Sequence, residues 1–101
     1  MRITVVPTDS RVVINGEGYN DIDLSSIDPS IHAIQWYDTE GEVEIKDARG
    51  RMIENREITS FDEFASVITL WEEAKAQDLA NKAAAKVAQE TRILNQPPLP
   101  Q

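Results

Sequence analysis

Apolar and polar positions alternate in short runs through the first sixty residues, then give way to a spacing of three and four. Ile3-Thr4-Val5-Val6 and Arg11-Val12-Val13-Ile14 are β-branched runs separated by Pro7 and the polar Thr8-Asp9-Ser10, a pattern that predicts a hairpin. Asn15-Gly16 ends the second run. The segment Glu17 to Ser30 is mixed and holds the turn initiator Asp28-Pro29. Within it Ile22 and Leu24 alternate with Asp21 and Asp23, which outlines a short edge strand, and Ile27 is expected to pin the loop to the core. Ile31 to Tyr37 is the strongest strand. A period of two places Ile31, Ala33, Gln35 and Tyr37 on one face, and His32, Ile34 and Trp36 on the other. Asp38-Thr39-Glu40-Gly41 reads as a turn with Gly41 at a positive φ. Glu42 to Lys46 follows as a strand with Val43 and Ile45 inward. Asp47 to Gly50 turns again into a weaker strand, Arg51 to Ile58. Strands joined by such short turns make a meander.

From Ser60 the period changes. Ser60 and Glu63 have the spacing of a capping box, in which hydroxyl and carboxylate each satisfy a free backbone N–H. The chain then runs for about 35 residues without Gly or Pro, so a helix from Ser60 to Asn95 is predicted. Phe61, Phe64, Ile68 and Trp71 form one apolar stripe that should lie on the sheet. With Ile34 and Trp36 they are the expected core anchors. Trp71 is expected to count most, its replacement by Ala costing on the order of 3–5 kcal/mol. Beyond Trp71 the stripe thins to Ala76, Ala80, Ala83, Val87 and Leu94, a heptad-like spacing interrupted by Glu90. Such an arm, about 24 residues at about 1.5 Å each, outreaches a small sheet. The resulting picture is an α+β fold: a small antiparallel β-meander sheet packed against a long C-terminal α-helix. Residues 1–75 form the sheet domain closed by the first half of the helix, 76–95 an Ala-rich arm, and 96–101 a Pro-rich tail expected to be disordered.

Charge and composition narrow the function classes. The chain has 101 residues and a formal net charge of −8. Residues 1–60 carry 6 Lys/Arg against 12 Asp/Glu, so most of the charge lies in the β part. Such a surface repels a phosphate backbone, and nucleic acid is not an expected partner. There is no cysteine, which excludes disulfides and thiolate metal sites. Met1 to Pro7 is too short and too interrupted for a signal peptide, and no apolar run approaches a membrane span. The chain is accordingly expected to stay in the cytoplasm of the cell that makes it, or to leave within a larger particle.

Residues of catalytic type are present without a catalytic arrangement. His32 is the sole histidine and has no nucleophile motif beside it. Asp21, Asp23 and Asp28 suggest a cation loop, but a calcium loop starting at Asp21 needs Gly and Glu where Ser26 and His32 stand. Glu42 and Glu44 share one strand face and read as a charged outer surface. No enzyme, cofactor or metal is expected. Trp36 and Tyr37 point to opposite faces, so Tyr37 is a candidate partner contact, together with Ala76, Ala80, Ala83, Val87 and Leu94 on the arm. The same arm positions could form a seam between two copies of the chain.

The block Ile27-Asp28-Pro29-Ser30-Ile31-His32-Ala33-Ile34-Gln35-Trp36-Tyr37, followed by Gly41-Glu42-Val43-Glu44, resembles small proteins encoded beside the tail fibre in tailed bacteriophages and prophages. The resemblance spans roughly residues 1 to 75, and Ile31 to Trp36 is its most specific part. It implies a protein that assists tail fibre assembly by binding the fibre or another tail component, as a chaperone or accessory protein. The alternative it leaves is a minor structural component retained in the virion tail. Either role implies the host bacterial cytoplasm during assembly, and the virion tail for a retained component.

Overall fold

The computed structural model describes the backbone of residues 1–95 and the side chains of residues 1–87. Leu94 and the Pro-rich segment 96–101 therefore lie outside the described side chains. The fold is α+β. Six strands, β1 (Arg2–Val6), β2 (Arg11–Ile14), β3 (Glu17–Tyr19), β4 (Ile31–Tyr37), β5 (Glu40–Lys46) and β6 (Met52–Ile58), form one antiparallel sheet in the order β3-β2-β1-β4-β5-β6. Two three-stranded meanders thus meet at the β1–β4 pair. A 3₁₀ turn at Asp62–Phe64 leads into one helix, α1 (Ser66–Asn95), which packs against one face of the sheet.

The register explains which side chains are buried. Ile3 lies opposite both Ile14 and Trp36, and Val5 opposite both Val12 and Ile34. Ile34 in turn faces Val43. These residues share one face, and each is at most 7 % exposed. Phe61, Phe64 and Val67 close over them, with Trp36 and Phe61 tilted at 5.7 Å between ring centres and Phe61 and Phe64 at 5.9 Å.

Several local expectations change. The short edge strand is Glu17–Tyr19, not Ile22–Leu24. Asn15 and Gly16 adopt φ of 50° and 82°, the left-handed pair that a two-residue hairpin turn needs, and so begin a third strand rather than end the second. Ile22 and Leu24 are nevertheless buried. They belong to the connection from β3 back to β4, whose Ile22 N–H donates to the Ser10 carbonyl at 2.9 Å. Gly41 is not a positive-φ turn residue. It is a strand residue opposite Trp36, and a Cβ there would stand 2.3 Å from the Gln35 carbonyl oxygen and 3.0 Å from Trp36 Cε3. The left-handed residue of that hairpin is Asp38, at φ 55°.

Strict alternation also fails in β4. Ile31 pairs with Ile45 but Ala33 with Glu44, so one extra residue enters β4 there. This bulge returns Ile31 to the same face as Ile34 and Trp36 and turns His32 outward to solvent.

The helix starts later than its capping box suggests. The Ser60 hydroxyl accepts from Asp62 N–H at 3.1 Å, and Glu63 turns away to Arg56, 3.3 Å from Nη2. The 3₁₀ turn advances about three residues per turn rather than 3.6, which shifts the phase of the stripe. Val67, 1 % exposed, therefore takes the core position, and Ile68 and Trp71 are only partly buried.

Candidate functional site

The acidic loop spends its carboxylates on its own backbone. Asp23 accepts from Ser25 N–H at 3.0 Å, and Asp28 accepts from the N–H and the hydroxyl of Ser30 at 2.8 and 2.7 Å. These bonds hold both carboxyls below the usual aspartate range, Asp23 through the Ser25 hydroxyl and backbone, Asp28 mainly through the Ser30 backbone. In the β5–β6 turn Asp47 is held low chiefly by Arg51 N–H at 2.9 Å, and it also accepts from Arg49 N–H. Because each folded value is depressed, the stabilisation is fully present above the ordinary value of 3.8 and is lost as the pH falls through the lower folded value. The urea midpoint should therefore drop as the pH falls below 3.8, and Asp28→Asn, whose amide does not titrate, should flatten that dependence. Among the described residues no group of three His, Cys, Asp or Glu side chains could hold a metal ion.

The arm has a built base. Trp71 is half-buried where α1 reaches the β3 edge, and its Nε1–H donates to the Glu17 carbonyl at 2.9 Å. Its ring meets Tyr19 edge-on at 5.7 Å, and Lys75 Nζ lies 5.2 Å above it while reaching Glu17 Oε2 at 3.2 Å. The Tyr19 hydroxyl donates to the same carboxylate at 3.2 Å, and desolvation, then this bond, pushes its pKa up. The indole thereby ties the helix to the backbone of the three-residue edge strand. Trp71→Phe keeps most of the apolar contact but loses the donor. It should cost about 1–2 kcal/mol in urea unfolding and speed hydrogen exchange across β2 and β3.

Past this base the helix leaves the sheet. Asp78, half-exposed, pairs with Lys82 at 2.9 Å along the helix and raises the Lys82 pKa, and the Gln77 amide donates to Asn81 at 2.8 Å. From Leu79 to Val87 every side chain is exposed. Leu79 and Val87 are 57 % and 60 % exposed, and Ala76, Ala80 and Ala83 are open to solvent beside them. Of these five, the heptad-like spacing includes all but Leu79. That residue stands three positions after Ala76 and four before Ala83, so a slightly wider stripe on the same helix face contains it. No helix among the described residues is long and apolar enough to cross a membrane.

Tyr37 does not belong to this surface. Trp36 faces α1, so the next residue projects from the opposite side of the sheet. There Tyr37 is 45 % exposed, with the Arg2 guanidinium 5.1 Å from its ring centre. It opens onto a shallow recess lined by Glu40, Glu42, Glu57 and Thr59. The two candidate contacts are thus separate surfaces, one apolar and helical, the other acidic and on the sheet. No protein-family model, curated protein or solved structure matches the chain.

Proposed function

We propose that this chain is a small tail-fibre-associated protein of tailed bacteriophages and prophages, which assists fibre assembly by binding the fibre through the free part of α1. The observation that carries the reading is the helix past its base, which presents Leu79 and Val87 with Ala76, Ala80 and Ala83 to solvent rather than to its own sheet. The resemblance through Ile31 to Trp36 names the partner class. Fibre chains expose apolar and strand-edge surface before they close, and a soluble acidic protein with an apolar helical arm suits their temporary cover. The acidic sheet keeps the covered complex soluble.

Co-expression with the fibre protein encoded beside it tests the role. The fibre should form more soluble trimer with this chain than without it, and equal yields would end the proposal. Mass spectrometry of purified particles separates the two tail roles. Absence from the particle accords with a chaperone, whereas recovery in fixed proportion would make the chain a component of the virion tail.

A further inference from the structure

The two edges of the sheet are built differently. β3 is three residues long and has Trp71 and Lys75 packed on it, whereas β6 has seven residues and, among the described residues, pairs with β5 alone. α1 packs on β2 and β3, at the far side of the sheet, and leaves the β6 edge uncovered. Met52 and Ile53 on that edge are 47 % and 62 % exposed. A long open edge offers a ladder of N–H and C=O groups to another strand.

The residues of β6 select what that strand can be. Its sequence is Met52-Ile53-Glu54-Asn55-Arg56-Glu57-Ile58. In an antiparallel pair of two identical strands, the two-fold axis must pass through a residue, because any other register sets inward side chains against outward ones. An axis at Glu54, Arg56 or Glu57 places that charge opposite its own copy. An axis at Met52, Ile53 or Ile58 leaves more than half of the strand without a partner. An axis at Asn55 sets no like charges directly opposite each other and pairs the regular stretch about it, up to the bulge at Ile53 where β6 slips against β5. It sets Glu54 of each copy opposite Arg56 of the other and Asn55 opposite Asn55, with the bulged Ile53 near Glu57. The register within the sheet keeps this alignment consistent, since Glu54 and Arg56 both lie on the α1 side, opposite Ile45 and Val43, while Asn55 lies outward, opposite Glu44.

We infer that β6 is a self-association edge, at which two copies of this chain pair antiparallel about Asn55 to form one continuous sheet. The axis of such a pair stands perpendicular to the sheet, so both helices lie on the same side, each at the far end from the joint. Both arms then stay free. The inference stands apart from the fibre reading, and neither depends on the other.

Sedimentation of the full chain over a wide concentration range tests it, together with two single substitutions. Glu54→Arg sets guanidinium against guanidinium at both cross-strand pairs, and Arg56→Glu sets carboxylate against carboxylate at both. Each alone should dimerise roughly tenfold more weakly or worse, and an equimolar mixture should recover the pairing as a heterodimer. Arg56 also bonds Glu63, so a second measurement avoids relying on the fold of that variant. The chain has no cysteine, and Asn55→Cys should yield a disulfide-linked dimer on mild oxidation, whereas Thr39→Cys, in a distant turn, should not. A wild-type chain that stays monomeric, a dimer indifferent to Glu54→Arg, or a dimer lost instead on Leu79→Glu with Val87→Glu would each overturn the inference.

Discussion

Trp36→Ala should lower the unfolding free energy by about 3–5 kcal/mol, a large part of what a domain of this size holds. Trp36 is 7 % exposed at the centre of the sheet, lies opposite the bare Gly41, and carries Phe61 on its outer side. Removing the indole opens a cavity bounded by backbone below and by phenyl rings above. Gly41 has no side chain to fill it, and the surrounding strands are held in register by their neighbours. Urea unfolding should show a lower midpoint. The same change at Trp71 should cost less, about 2 kcal/mol, because that ring is only partly buried and its loss opens toward solvent. A larger loss at Trp71 than at Trp36 would show that the helix base, not the sheet centre, carries the fold.

Leu79→Glu combined with Val87→Glu should leave that free energy within about 0.5 kcal/mol of the wild type, since both side chains stand in water. On the proposed role, fibre capture should nevertheless fall by at least about tenfold. Two carboxylates would have to be desolvated against an apolar partner surface, and this cost has no compensating pair. The two measurements belong together. Unchanged stability with lost capture assigns the arm to binding, whereas unchanged capture would move the contact elsewhere, to the separate surface around Tyr37.

The contrast between the tryptophans shows where a linear reading falls short. Both sit in clear apolar patterns, one with a period of two and one with a period of three to four. Neither pattern states how much of a ring the opposite surface can cover. Val67 illustrates the same limit. It stands one position from the extrapolated stripe, and a single 3₁₀ turn is enough to rotate it inward. Asn15-Gly16 is the opposite case, because the turn signal for a third strand is there in the residues. Glu17-Gly18-Tyr19 has so little apolar content that it does not read as a strand. It owes its place to the turn before it and to the Trp71 indole that bonds its carbonyl.

Local chemistry along the chain is sufficient to determine the fold class, five of the six strands, the one long helix and the approximate point at which its apolar stripe thins. Those features depend on period, β-branching, turn residues and the absence of Gly and Pro, all of which act over a few neighbours. The β1–β4 pairing, the bulge that turns Ile31 inward, the short β3 edge beside the long β6 edge, and the separation of Tyr37 from the arm are decided only in three dimensions. Each of these depends on which distant segment lies opposite, and the spacing of residues within one segment carries no record of that.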